Sequence, residues 1–123
     1  MFKERIVENS NCMQNDSRKV GIVGLGKVGI TAAYALLLRQ TVDELVLISR
    51  SADRVEGEKL DLEHGLSFLE PTKITTSTDY SALKDVDVVV ITAGAAQKPG
   101  ESRLDLANQN KQIIDELVLR IKA

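Results

Sequence analysis

The feature that most constrains this chain is the run from Lys19 to Leu38, KVGIVGLGKVGITAAYALLL. Its first part, Lys19 to Val23, is rich in β-branched residues and reads as a strand. Gly24-Leu25-Gly26-Lys27-Val28-Gly29 follows, and then an almost wholly apolar helical stretch up to Arg39. The three glycines have separate physical uses. Gly24 can take the backbone angles of a sharp turn. Gly26 lets the main chain approach a ligand, because no Cβ intervenes. Gly29 lets the helix lie close to the strand. The unpaired N–H groups of the first helical turn, at the positive end of the helix dipole, then face a diphosphate. Spaced glycines also occur in ordinary turns of α/β proteins. Their position between a strand and a helix is what points to a dinucleotide site.

Length and charge bound the remainder. The 123 residues suffice for one domain with a core. A net charge of −2 gives no electrostatic footprint for nucleic acid or an anionic membrane surface, so neither is expected as a partner. The longest uncharged apolar run, Val28 to Leu38, falls well short of the ~20 residues that span a bilayer and reads as a buried helix. The single cysteine, Cys12, excludes an internal disulfide and a cysteine-rich metal site, and no metal is expected. Residues 1–18 are polar and aperiodic, read as a flexible arm, and lack the apolar core of a signal peptide, which makes the cytoplasm the default location.

Further along, Glu44 to Ile48 (ELVLI) has the continuous apolar pattern of a parallel strand covered on both faces. A helix is expected from Ser51 to Glu63, with Val55, Leu62 and Leu66 on its apolar stripe and Lys59 interrupting it. Ser51 or Asp53 can cap its start, and His64-Gly65 reads as its stop. Gly57 inside it costs about 1 kcal/mol relative to alanine, a cost that close packing against a neighbour would offset. Lys73 to Thr76 is a short strand. Asp87 to Thr92 (DVVVIT) is the clearest strand, expected to be central and buried. Gly94 to Gly100 is a loop, and a helix from Ser102 to Lys122 carries Leu104, Ala107, Ile114, Val118 and Ile121 on one face. The fold class is therefore α/β, a Rossmann-like parallel sheet with helices on both faces, in the order β-α-β-α-β-β-α.

The segments GLGKVG, DELVLI, GEKLDLEHG and VVVITAGAAQKPGESRLDLANQN together resemble the N-terminal half of the L-lactate/malate dehydrogenase family, over residues 19–123. Within it, ITAGAAQKPGESRLDL looks like the lactate branch. The resemblance implies an NAD-dependent hydride transfer between pyruvate and L-lactate, in full-length members that are homo-oligomers. It implies cofactor contacts from Gly24, Leu25, Gly26, Lys27, Val28 and Gly29, from Ser49 and Arg50 after the second strand, and from Thr92, Ala93, Gly94 and Ala95. Gln97 matches the loop position facing the substrate side chain, where malate dehydrogenases carry arginine for a second carboxylate. Arg103 matches the arginine that swings in on loop closure, binds substrate and polarises its carbonyl, a catalytic role. The loop Gln97 to Glu101 would be the lid that excludes water. Read without the family, Gln97 is open between a solvated loop residue and a site residue, and Arg103 between a surface cation and a functional one, its unfavourable place in the first turn of a helix favouring a role. His64, the only histidine, is excluded as the proton relay because it sits at a helix C-terminus.

Two departures from the family pattern matter. Ser49 stands where the family has the aspartate that binds the adenosine ribose diol. Serine removes the charge that repels a 2′-phosphate, and Arg50 beside it can attract one. NADP(H) binding and a plain loss of NAD affinity are both open on the sequence. The chain also contains neither the family's relay histidine nor its partner aspartate and carboxylate-clamping arginine, and no substrate domain. It is expected to be an N-terminal fragment that does not turn over pyruvate alone. A malate dehydrogenase fragment and a stand-alone nucleotide-sensing module are the alternatives, the first disfavoured by Gln97 and the second by the lid.

Overall fold

The computed structural model describes residues 17–122. Strands β1 (Lys19–Val23), β2 (Glu44–Ile48), β3 (Lys73–Ser77) and β4 (Val88–Ile91) form one parallel sheet in the order β3-β2-β1-β4. Helices α1 (Lys27–Leu38) and α2 (Ala52–Gly65) pack on one face, and α3 (Arg103–Lys122) on the other. Two 3-10 turns, Leu66–Phe68 and Tyr80–Leu83, complete the elements. Cys12 and most of the expected arm lie outside the described residues. Arg18, assigned to that arm by composition, is tied to Asp43 through its backbone N–H (2.7 Å) and its guanidinium (3.2 Å).

β2 shows why a continuous apolar run suits this position. With strands on both flanks and helices on both faces, Leu45, Val46, Leu47 and Ile48 are all buried. Alternation divides them: Leu45 and Leu47 join Ile22, Ala33, Leu37, Val55 and Leu62 on one side, while Val46 and Ile48 join Val23, Leu83 and Leu117 on the other.

Several sequence expectations are corrected. Among the described residues β4 pairs with β1 alone, and Val88 is 54% exposed, so within them it does not take the central, buried place expected. Its β-branched composition reports a strand but says nothing about which strands flank it. α1 is apolar nearly all round but is buried along one stripe only, Gly29-Ala33-Leu37, which leaves Val28, Tyr34 and Leu38 exposed. α2 ends at Gly65, within the expected His64-Gly65 stop and two residues past Glu63. It runs through Gly65 in right-handed geometry (φ −68°) and tightens into the Leu66–Phe68 turn, so Leu66 lies beyond the helix. Ser51, not Asp53, is its cap, accepting from the Arg54 N–H at 3.4 Å. Lys59 turns outward to Glu56 and Glu63. A Cβ on Gly57 would meet nothing within 4 Å, so no neighbour among the described residues accounts for that glycine. On α3 the inward stripe is Leu106, Asn110, Ile113, Leu117 and Ile121. Leu104, Ala107 and Ile114 are exposed, because they lie on a helix face to one side of that stripe.

Ion pairs gather at the amino ends of the strands. Lys19, Glu44 and Lys73 are register neighbours on β1, β2 and β3, and Glu44 meets Lys73 at 2.9 Å and Lys19 at 3.4 Å. Lys73, aided by Lys19 and the Thr75 hydroxyl, holds the Glu44 carboxyl below the usual carboxylate range, although burial acts the other way. A lowered folded-state pKa stabilises fully above the unfolded value, about 4.3, and the contribution is lost as pH falls through the folded value. Glu44→Gln is therefore expected to cost about 0.5–1 kcal/mol at pH 7, with the gap to the parent closing below about pH 4. Melting curves from pH 7 to 3 check this; a gap that stays constant across that range counts against it.

Candidate functional site

The carboxyl ends of β1, β2 and β4 open into a cleft of about 320 Å³. The turn Gly24-Leu25-Gly26 lies between two walls, Ser49 to Ser51 with Arg54 after β2, and Thr92 to Gly94 after β4. The chain runs outward from β1 to β2 and β3, then returns to place β4 on the other side of β1. This is a topological switch point, where open α/β sheets take ligands. A larger hollow of about 880 Å³ lies between the Tyr80–Leu83 turn and the end of α3. It is remote from the glycine turn, and the smaller cleft is assigned as the site because the unpaired helix donors are there.

Gly24 has φ +94°, and a Cβ on it would lie 2.5 Å from the Ala93 nitrogen. The turn is pinned from both sides: the Gly24 N–H donates to the Ile48 carbonyl (3.0 Å), and the Thr92 hydroxyl donates to the Gly24 carbonyl (2.6 Å). A Cβ on Gly29 would collide with that same carbonyl, so the third glycine sets how closely α1 approaches the turn. Gly26 differs. It is the N-cap of α1 with ordinary angles (φ −78°, ψ −171°), gives no side-chain cap, and nothing lies within 4 Å of where its Cβ would be. The first turn of α1, beginning Lys27-Val28-Gly29, therefore presents uncapped N–H groups with no acidic residue near them. This cradle fits a diphosphate.

Of the residues implicated by sequence, Gly24, Leu25, Gly26, Ser49, Arg50, Thr92, Ala93 and Gly94 line the cleft together. Lys27, Val28 and Gly29 follow on the helix start. Ala95 is held just beyond by a residue the sequence reading missed: its N–H donates to Asn110 Oδ1 at 2.7 Å. The available signal was Asn110 as a polar member of α3's inward stripe. Arg54 was also missed, because its place on the cleft depends on how α2 leaves β2.

Gln97 and Arg103 do not line the cleft. Gln97 Nε2 donates to the Glu101 carbonyl (2.8 Å), across a turn with Pro99 and Gly100 (φ +83°) at its centre. The Glu101 carboxylate accepts from the Lys98 N–H (3.0 Å) and from Gln109 on α3 (2.8 Å). Ser102 and Asp105 exchange hydrogen bonds as a capping box that starts α3. Arg103 at the head of α3 is exposed and forms no ion pair among the described residues. Among those residues, no group of three or more histidines, cysteines or carboxylates is arranged to hold a metal. No helix among the described residues is long and apolar enough to cross a membrane.

A family model described as lactate/malate dehydrogenase, NAD binding domain, matches residues 18–123. The chain belongs to the lactate/malate dehydrogenase family. L-lactate dehydrogenase 2 of Lactococcus lactis subsp. lactis is 45% identical over 109 residues, covering 89% of this chain and 35% of that protein. The L-lactate dehydrogenase of Kosmotoga olearia is 46% identical over 100 residues, or 81% of this chain and 31% of the relative. Among solved structures, the minor L-lactate dehydrogenase of Enterococcus mundtii superposes with a TM-score of 0.82 at 40% identity, covering 88% of this chain and 34% of that one. A lactate dehydrogenase from a Medee basin deep-sea metagenome library superposes with a TM-score of 0.79 at 44% identity, covering 86% of this chain and 34% of that one. The chain thus spans about a third of the length of the relatives it matches. The sheet is the Rossmann-like sheet of this dehydrogenase family, and the family's cofactor class, a nicotinamide dinucleotide, suits the Gly24–Gly29 cradle.

Proposed function

We propose that this chain is the nucleotide-binding part of an L-lactate dehydrogenase, holding a nicotinamide dinucleotide for hydride exchange between pyruvate and L-lactate. The observation that carries the reading is the open, uncapped helix start at Gly26, seated at the switch point of the sheet. The lactate assignment is supported by relatives that bear that name and by Gln97, whose neutral amide leaves a second substrate carboxylate without a partner. A malate dehydrogenase would need a cation there.

In this reading Gly24 to Gly29 bind the diphosphate, Ser49 and Arg50 face the adenosine ribose, and Thr92 to Ala95 run beneath the cofactor. A bound nicotinamide supplies the hydride acceptor or donor. Arg103 stabilises negative charge growing on the substrate carbonyl oxygen once the Gln97–Glu101 loop folds over the site and excludes water. The hydrogen bonds centred on Glu101 hold that loop together and, through Gln109, to α3, at whose head Arg103 forms no ion pair among the described residues. Assembly of full-length members into homo-oligomers belongs to the same reading; the exposed Tyr34, Leu38 and Leu60 are suited to a subunit contact.

Proton transfer needs a group tuned near neutral pH at the carbonyl. No histidine or carboxylate lines the cleft. His64 lies ten residues beyond Arg54 on α2, roughly 15 Å along the helix. The 123-residue chain is therefore expected to bind reduced nicotinamide dinucleotide without oxidising it when pyruvate is added. The chain has no tryptophan, so nicotinamide emission reports binding without that background. Gly26→Ala is expected to weaken binding about tenfold with an unchanged melting temperature, because its Cβ enters only the ligand's space. Binding of neither NADH nor NADPH sinks the dinucleotide reading. Pyruvate-dependent loss of emission sinks the prediction of inactivity.

A further inference from the structure

We propose that the adenosine end of the cleft is a 2′-phosphate site formed by Ser49, Arg50, Ser51 and Arg54, so that the chain takes NADP(H) in preference to NAD(H). This rests on the dinucleotide reading above and adds the form of the cofactor. The chain leaves β2 as Ser49-Arg50-Ser51-Ala52-Asp53-Arg54, and its first three residues and Arg54 line the cleft. Two hydrogen bonds fix the corner. The Ser51 N–H donates to Ser49 Oγ at 3.5 Å, and the Arg54 N–H donates to Ser51 Oγ at 3.4 Å. Arg50 and Arg54 are thereby set one on each side of the helix cap, both exposed and both facing one cavity.

Charge decides what such a corner accepts. Neither arginine forms an ion pair among the described residues, and no carboxylate lines the cleft. The nearby acids lie elsewhere: Asp53 and Glu56 line a separate hollow with Thr76, Ser77 and Thr78, and Glu56 is engaged by the Thr76 hydroxyl (3.2 Å) and Lys59 (3.7 Å). A ribose diol is bound best by a carboxylate that accepts from both hydroxyls, and Ser49 offers one neutral oxygen. A phosphate on the 2′-oxygen changes the balance. It brings close to two negative charges and three acceptor oxygens, matching two guanidinium forks and the serine hydroxyls. An unphosphorylated ribose leaves both guanidinium groups without an anion.

The test titrates the 123-residue chain with NADPH and NADH, following nicotinamide emission. NADPH is expected to bind at least about tenfold more tightly at low ionic strength, with the advantage narrowing as salt is added. Arg50→Ala and Arg54→Ala are each expected to weaken NADPH about tenfold, several times more than they weaken NADH. Ser49→Asp is expected to reverse the preference. Far-ultraviolet circular dichroism confirms that each surface variant is folded. NADH binding as tightly as NADPH, or Arg54→Ala weakening both equally, overturns the proposal while leaving the dinucleotide reading intact. Binding of neither cofactor removes both.

Discussion

Gly24→Ala is expected to destabilise the chain by about 3 kcal/mol or more, enough to take much of the stability of a domain this size. Two costs add at one position. The backbone is at φ +94°, a region L-residues rarely occupy, and the added Cβ would sit 2.5 Å from the Ala93 nitrogen and 2.7 Å from its Cα. Those are main-chain atoms with little freedom to yield. The Thr92 N–H donates to the Val23 carbonyl (2.9 Å), and the Thr92 hydroxyl donates to Gly24 itself. With a urea m-value near 2 kcal/mol/M, the unfolding midpoint should fall by about 1.5 M. Gly26→Ala, two residues on, should leave the midpoint where it is. If the Gly24 variant unfolded at the parental midpoint, the turn would not be wedged between β1 and β4 as described.

Leu37→Ala is expected to cost about 3 kcal/mol, whereas Leu38→Ala should cost less than about 1. The reason lies in how α1 meets the sheet. Its buried residues are Gly29, Ala33 and Leu37, and only the last carries a large side chain. Leu37 is 1% exposed in the cluster with Ile22, Leu45, Leu47 and Leu62, while Leu38 is 50% exposed. Removing Leu37 leaves a cavity under the helix whose first turn offers N–H groups to the diphosphate. Dinucleotide should therefore bind the variant more weakly and, at saturation, restore part of its midpoint by mass action. Parallel urea titrations of both variants, with and without NADPH, check this. Equal losses at the two positions would mean that α1 is not seated on the Leu37 side.

Much of the architecture was readable from local pattern. β1, β2 and α1 begin and end within a residue of where periodicity and glycine spacing put them. The cleft gathers Gly24, Gly26, Ser49, Arg50 and Gly94 because a strand-turn-helix signature specifies its own geometry and the following strand must pair beside it. Misreadings fell where a residue's setting depended on another element. Leu36, Leu37 and Leu38 are identical side chains in sequence, and one helix face chose among them. Leu104 and Ile114 continue an apolar spacing on α3 yet face outward, while Asn110 turns inward to hold Ala95. β4 has the composition of a central strand, yet among the described residues only β1 pairs with it.

Residue order alone was enough for the glycine turn, the alternation of strands and helices, and the missing acid at position 49, since backbone freedom, hydrophobic period and side-chain charge are properties of neighbouring residues. Folding in three dimensions was needed to bring Arg54 to the same cavity as Arg50, to seat Asn110 under the loop, and to turn Asp53 and Glu56 away. Those placements follow from the angle at which α2 leaves β2 and from where α3 crosses the sheet, and contacts between distant segments set both.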